Sequence, residues 1–407
     1  MTTTTTKEPL PQSYRLWVSG AVISILGNGV LYFALGWTAT GHSGALAGLV
    51  LTAVNVPRAL FLLVGGVLGD RVGARRVMIT GDAVMIGVCL LFALVLHLSG
   101  PAVWVLLATG LVLGVVDAFY LPASGSMPRL LVPPEQLPRA LGLRQAGAQV
   151  AGLVAGPLGG LLVVTVGLAG VLLLDALTFA VVLAVLLVIR PLSSASGAGP
   201  GGVHGGMGGG IAAAALDGLR IGLADPVLRT VLLLTGAFGG LLLPAFSILV
   251  PLLAREHDWD ARAAGLVIGA QALGTIVVAL VVARQGAHRR AGLAVAGATV
   301  TAALGLAVMA ASGSTGPAVA GAAVCGVGSG LFAGHASPTI LSATPSTHLS
   351  RVQAMLVLVQ TVTLLVTNNV VGGLADTVGA TTMTVLCAAL LLGSGLLALS
   401  SKTFRAV

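Results

Sequence analysis

Apolar runs of about twenty residues recur from one end of this 407-residue chain to the other, each long enough to carry a helix across the hydrocarbon of a bilayer. Hydrocarbon offers a backbone no outside hydrogen-bond partners, so only helices or closed barrels can span it. Barrel strands alternate apolar and polar residues between aromatic girdles. These runs do not alternate, and aromatic residues make up only 4% of the chain. The expected fold class is therefore an all-α polytopic membrane protein. With 57% hydrophobic and 8% charged residues, the chain could not clothe a soluble globule with a polar surface.

Hydropathy places twelve spans at 16–38, 45–69, 77–97, 102–122, 140–164, 168–189, 228–253, 262–283, 291–311, 317–338, 352–374 and 378–399. Composition changes once. A Gly/Ser stretch from Pro191 to Gly210 precedes a short amphipathic segment ended by Pro226. The expected organisation is an N-terminal tail (1–15), a six-helix bundle (16–189), a Gly-rich linker with a surface helix (190–226), a second six-helix bundle (227–399) and a C-terminal tail (400–407). The two bundles repeat in parallel: Arg71–Arg76 returns as Arg284–Arg289 and Gly159-Gly160 as Gly372-Gly373, shifted by 213, and Thr165-Val166-Gly167 returns as Thr377-Val378-Gly379, shifted by 212. A ligand path between the halves near the midplane is expected from such a repeat.

Of the 20 Lys and Arg residues, 16 fall in the tails, the linker and the connections on their side of the spans. The opposite connections hold only Arg255 and Arg262, while Arg58 and Arg144 lie within spans. Both tails and the linker are therefore expected in the cytoplasm. The net charge of +8 is a topology signal, and nucleic acid is not an expected partner. Cys89, Cys325 and Cys387 sit in separate apolar runs, which speaks against disulfide or zinc chemistry. No G-x-x-x-x-G-K-[ST] loop supports nucleotide-driven pumping, and no HExxH or Ser/His set supports an intramembrane enzyme. Neither a cofactor nor a metal is expected.

The most specific motif follows the second span: Gly65-Gly66-Val67-Leu68-Gly69-Asp70-Arg71-Val72-Gly73-Ala74-Arg75-Arg76. Small residues let a helix end approach its neighbour, Asp70 can cap a helix N-terminus, and the arginines can pair with carboxylates. In Gly66, Leu68, Asp70, Arg71, Gly73 and Arg75 it resembles the signature of the major facilitator superfamily, with Ala74 where a basic residue is common. Gly152, Gly156, Pro157, Gly159 and Gly160 in span five are similar to a G-x-x-x-G-P-x-x-G-G element of exporter branches, one residue short after the proline. There Gly152 and Gly156 make a smooth face and Pro157 bends the helix against the other half. The segments DAFYLPASGSMPRLLVPPEQLPRA and DGLRIGLADPVLRTVLLL look like the twelve-span efflux branch that includes macrolide exporters and the enterobactin exporter. This resemblance implies a monomer in a bacterial inner membrane, exporting a drug or secreted metabolite in exchange for protons, with two bundles rocking about a central cavity and the Asp70 motif gating it. The rivals are a facilitator or importer of a nutrient and a receptor without transport.

Charges inside spans cost about 2.5–3.5 kcal/mol each unless paired or hydrated. Arg58 and Asp117 lie at similar depth and can pair, either directly or with Asp117 turned to Arg71, Arg75 or Arg144. Asp82 is expected to be solvated or bound to loop arginines, and Asp175 to face water near the outer surface. His335 is either a proton carrier or a packing histidine. Related drug antiporters often carry an acid where span one has Asn28. The cavity candidates are Asn28, Tyr32, Asn55, Gln145, Gln149, Gln271, Gln360, Asn368 and Asn369, a weakly polar set suited to an amphipathic molecule. Reporter fusions at Val407 and within 197–210 are expected to read cytoplasm; an external signal from either breaks the two-by-six topology.

Overall fold

The computed structural model describes residues 9–100, 102–189, 225–285, 290–343, 349–401 and 404. Twelve helices are long and apolar enough to cross a membrane, and no strand occurs among the described residues. They are α1 Gln12–Thr40, α2 Gly44–Val72, α3 Ala74–Ser99, α4 Val103–Leu131, α5 Leu137–Thr165 and α6 Gly167–Val188 in the first half. The second half holds α7 Pro226–Glu256, α8 Ala261–Gln285, α9 Ala291–Ala310, α10 Thr315–Ala343, α11 Leu349–Val378 and α12 Ala380–Ser400. Most of the expected Gly-rich linker and its surface helix lie outside the described residues. The short connections after α1, α3, α5, α7, α9 and α11 share one end, the hairpin face; the N-terminus and the α6–α7 connection share the other, the linker face.

The sequence repeat becomes a repeat of packing. In the first half α2 lies on α4, α3 on α4 and α6, and α1 on α5 and α6. In the second, α8 lies on α10, α9 on α10 and α12, and α7 on α11 and α12, which is the same scheme six helices on. Gly167 and Gly379, the matched ends of Thr-Val-Gly, both have positive φ (67° and 86°): Gly167 opens α6 one residue after α5 ends, and Gly379 is the single residue between α11 and α12. A side chain there would be strained, so both copies keep glycine.

Helices in lipid gain nothing from hiding apolar surface, so small residues and close backbone contacts hold them together. Prolines contribute. Pro122 lacks the N–H that would bond Ala118 O, and that carbonyl lies against Gly65 of α2. Pro157 likewise frees Leu153 O, 3.5 Å from where a Cβ on Gly269 of α8 would lie. Helix α4 runs on to Leu131 through both Pro122 and Pro128, nine residues beyond the expected boundary at 122. In α7, Pro244 is followed by a π-helical segment, Ala245–Leu249, with no counterpart in the expected spans.

The halves meet along two seams, α2 on α11 and α5 on α8. Gly156 lies against Gly265 and Ile268, Gly160 against Ala261, and Gly372 against Gly44. A Cβ on Gly156 would sit 2.9 Å from Ile268 Cγ2 and 3.0 Å from Gly265 O. Gly156→Leu is therefore expected to destabilise the fold by about 1–3 kcal/mol through overpacking, and to lower the melting temperature in detergent. An unchanged melting temperature would mean that this seam does not hold the halves together.

Candidate functional site

The described contacts between the halves cluster toward the hairpin face. There Arg255 at the end of α7 stacks over Trp37 of α1, 4.3 Å from the ring centroid, and donates to Trp37 O at 2.6 Å. Its Nε also donates to Thr40 Oγ1 at 3.4 Å. Asp376 near the end of α11 accepts from Gly44 N at 2.6 Å and Ala45 N at 2.9 Å. The second half thus places a cation on the C-terminus of α1 and a carboxylate on the N-terminus of α2, both favourable to the helix dipoles. Neighbouring Glu256 accepts from Ala380 N and Thr381 N and braces α12 in its own half.

Toward the linker face the same helix faces carry polar side chains. Gln145 and Gln149 share the seam face of α5 with Gly156 and Gly160, and both are exposed. Gly152 on that face has nothing within 4 Å of a would-be Cβ, so the smooth surface expected to grip the other half does so at Gly156 and lies open at Gly152. Where α2 and α11 part, Asn55, Arg58, Ala59, Leu62, Leu121, Gln360, Thr361 and Leu364 line a cavity of about 230 Å³. Gln360 also borders a second cavity of about 520 Å³ within the second half. That one is walled by Phe238, Leu242 and Phe246 of α7, Phe332 and Ala336 of α10 and Leu356 of α11, with Thr235, Gln271, Thr275 and Ser329 as its polar groups. Phe238 and Phe332 stack with centroids 4.4 Å apart. No charged residue lines it. Phe246 belongs to the π-helical segment, so the irregular turn shapes the wall.

In the first half Arg58 pairs with Asp117 directly, Nη1 to Oδ2 at 3.8 Å, with side chains 36% and 19% exposed. Tyr32 of α1 donates to the same oxygen at 2.7 Å, and Arg58 Nη2 donates to Asn55 Oδ1. One carboxylate therefore joins α1, α2 and α4. The alternative partners are engaged elsewhere. Arg75 donates to Leu186 O and Leu187 O at the C-terminus of α6, Arg144 donates to Ser124 Oγ at 3.3 Å, and Arg71 and Arg76 are exposed. Gly73 turns α2 into α3 with φ 96°. The side chains of Gly66 and Asp70 lie outside the described residues.

Several sites differ from expectation. Asp82 is neither solvated nor bound to an arginine: it is fully buried between α3 and α4, and neither carboxyl oxygen has a hydrogen-bond partner. Asp175 does not face water. It lies nine residues into α6, 2% exposed, against Gly27 of α1, with Oδ1 accepting from Thr178. Distance from a helix end was a poor guide in both cases, because neighbouring helices extend past the carboxyl. Asn368 and Asn369 stand in the α2–α11 seam rather than in a cavity. Asn368 is buried with its backbone against Gly48, and Asn369 donates to Thr52 Oγ1 at 2.8 Å. Asn28 is half-buried and lines neither cavity. Gln271 donates to Ser329 Oγ at 3.3 Å in the larger cavity. His335 is buried in α10, its Nδ1 bonded to Leu331 O. The Phe238/Phe332 pair, Arg255 and Asp376 were missed, since nothing in the local sequence distinguishes them from packing or loop residues.

The sequence model of the Major Facilitator Superfamily matches residues 17–367. Macrolide efflux protein A of Streptococcus pyogenes is 25% identical over 166 residues, 40% of this chain and 41% of that protein. Multidrug efflux pump Tap of Mycolicibacterium fortuitum is 28% identical over 266 residues, 62% of each chain. The chain thus aligns with less than two thirds of either relative. Among solved structures, a mutant of the nucleoside transporter NupG superposes with a TM-score of 0.74 at 12% identity, covering 96% of this chain and 99% of that one. A bacterial metal transporter does so with a TM-score of 0.66 at 16% identity, covering 97% and 99%. At these identities the likeness is one of fold.

The Arg255 and Asp376 contacts generate a prediction about the hairpin face. Hydrogen bonds to charged groups contribute about 1.5–3 kcal/mol, enough to shift a two-state population more than tenfold. Asp376→Ala combined with Arg255→Ala is expected to lengthen spin-label distances between Ala102 and Gly313 on that face. An unchanged distribution would show that the glycine seams alone keep it shut.

Proposed function

Because the chain belongs to the major facilitator superfamily, we propose that it is a secondary active exporter that carries an amphipathic small molecule outward in exchange for protons. The observation that carries this reading is the uncharged, phenylalanine-walled cavity in the second half, joined through Gln360 to the gap where Arg58 stands. Its volume of about 520 Å³ falls in the range of small-molecule sites, and its few polar groups suit a largely apolar ring-bearing body with one or two hydrogen-bonding substituents. The efflux roles of the two aligned relatives favour export over import. With the tails and linker in the cytoplasm, the sealed hairpin face is the outer one, and the gap opens to the side from which an exporter loads.

Asp117 is the coupling carboxyl in this reading. It pairs with Arg58, which lines the gap, and a proton arriving there weakens its hold on Arg58 and thereby the link between α2 and α4. The Asp70 motif acts as the gate on the cytoplasmic side: when the halves close there, Gly152, Gln145 and Gln149 of α5 come against α8, and the outer contacts of Arg255 and Asp376 release. Each state then has its own set of contacts, as a two-state carrier requires.

Everted membrane vesicles with an acid interior test the proposal. A radiolabelled macrolide is expected to accumulate inside them, and collapsing the pH gradient is expected to release it. Asp117→Asn should lower accumulation at least tenfold while keeping substrate-for-substrate exchange. Phe332→Ala should weaken apparent affinity about tenfold, roughly the 1.4 kcal/mol of a lost aromatic wall. Accumulation in right-side-out vesicles instead would make the protein an importer, and gradient-driven uptake by Asp117→Asn would remove that residue from coupling.

A further inference from the structure

Three carboxyls lie inside the first bundle and none inside the spans of the second, where every described acidic residue sits in a connection or within a turn of a helix end. Their depths are graded. Asp82 is the ninth residue of α3 counted from the linker face, Asp117 is the middle residue of α4, and Asp175 is the ninth residue of α6 counted from the hairpin face. At 1.5 Å per residue, the outer two stand about 12 Å from opposite helix ends. Buried polar groups ordinarily find hydrogen-bond partners, and exceptions ask for a reason. Here both oxygens of Asp82, Oδ2 of Asp175 and the hydroxyl of Tyr120 have none, although all are buried.

Tyrosines stand between the carboxyls. Tyr120 of α4 packs its ring on Gly81, next to Asp82, and its hydroxyl is turned to the Asp82 carboxyl as a near neighbour that misses strict hydrogen-bond geometry, while Asp117 and Arg144 lie within its electrostatic reach. Tyr32 of α1 donates to Asp117 and lies within electrostatic reach of Asp175. The charged and titratable groups facing the column are Tyr120 at Asp82; Asp82, Asp117 and Arg144 at Tyr120; Tyr32, Arg58 and Asp175 at Asp117; Asp117, Arg58 and Asp175 at Tyr32; and Thr178, Asp117 and the Cys89 thiol at Asp175. Among the described residues Asp117 is the one carboxyl of the three with a cation paired to it, and Arg144 is the cation within reach of Tyr120.

We propose that Asp175, Tyr32, Asp117, Tyr120 and Asp82 form a proton column through the first bundle, separate from the substrate cavity of the second. In each hop a carboxylic acid gives its O–H proton to the tyrosine oxygen, while the tyrosine's own proton leaves for the next carboxylate, so the tyrosine ends neutral and one proton has advanced. Small tilts of α1 and α4 bring the unpartnered oxygens into contact in turn. The column rests on the proton-coupled reading above, and it extends that reading by giving Asp82 and Asp175 transport roles and by separating the proton's route from the substrate's.

Infrared difference spectra of the full-length protein in lipid, stepped in pH, test it. Asp82→Asn, Asp117→Asn and Asp175→Asn are each expected to remove one titrating carboxylic-acid band and to shift the other two. Tyr120→Phe keeps every carboxyl and the ring packing, and is expected to slow deuterium exchange of the Asp82 or Asp117 band at least tenfold. Spectra of Asp82→Asn and Asp175→Asn identical to wild type, or exchange in Tyr120→Phe at the wild-type rate, overturn the column. Failure of the export reading has a different sign, the absence of any pH-gradient-driven flux in the wild-type vesicles, and the spectra are read without reference to it. Gradient-driven flux in wild type that persists undiminished in Asp82→Asn overturns the column while leaving export standing.

Discussion

Hydrocarbon gives a peptide group nothing to bond to, and the arrangement of this protein follows from that deprivation. Every span closes its own backbone ladder, and what remains between helices is contact at short range rather than the expulsion of water. Glycine faces supply that contact. Gly65 on α4, Gly114 on α2, Gly156 on α8 and Gly372 on α2 each sit where a side chain would meet a neighbouring helix. Prolines add carbonyls that a straight helix would have used internally, and two of those carbonyls lie at glycine contacts. In the proposed cycle the seams that hold the halves together are also the surfaces along which they separate, since a shallow glycine contact can be broken and remade without repacking a core.

The halves share a packing scheme and differ in chemistry. The first buries carboxyls and tyrosines and sets a partly exposed arginine against one of them; the second encloses a cavity walled by phenylalanine and leucine with only amides and hydroxyls for polarity. A membrane-embedded charge is expensive, so ionisable groups gain from being gathered where they can serve one another. An apolar ligand gains from a wall without them. In the proposed reading, dividing these tasks between the two copies of the repeated bundle resolves a conflict that a single cavity would face.

Much of this was legible in the residues. The spacing of apolar runs, the asymmetry of arginines and the recurrence of Thr-Val-Gly and Gly-Gly made twelve spans and an internal repeat readable, because each reflects a rule that acts along one helix or one turn. The Arg58–Asp117 pair was readable as one of several options, since two side chains at equal depth limit the choices without deciding between them. The burial of Asp82 and Asp175 was not readable. Counting residues from a helix end measures depth along that helix, whereas exposure depends on which neighbours flank it. Polarity alone points Asn368 and Asn369 toward a cavity, yet the packing of α11 on α2 puts them in the seam.

What the sequence determined by itself was therefore everything that follows from helix length and polarity: the fold class, the number of spans, the pairing of two halves and a family resemblance at the loop after α2. Only the tertiary structure decided which face of each helix meets which neighbour. That choice sealed the hairpin face through Arg255 and Asp376, opened a cavity beside Phe238 and Phe332, and lined three carboxyls through one bundle. The physical reason is that a helix in lipid has no preferred face until another helix packs on it, and packing is a property of pairs that no single stretch of sequence contains.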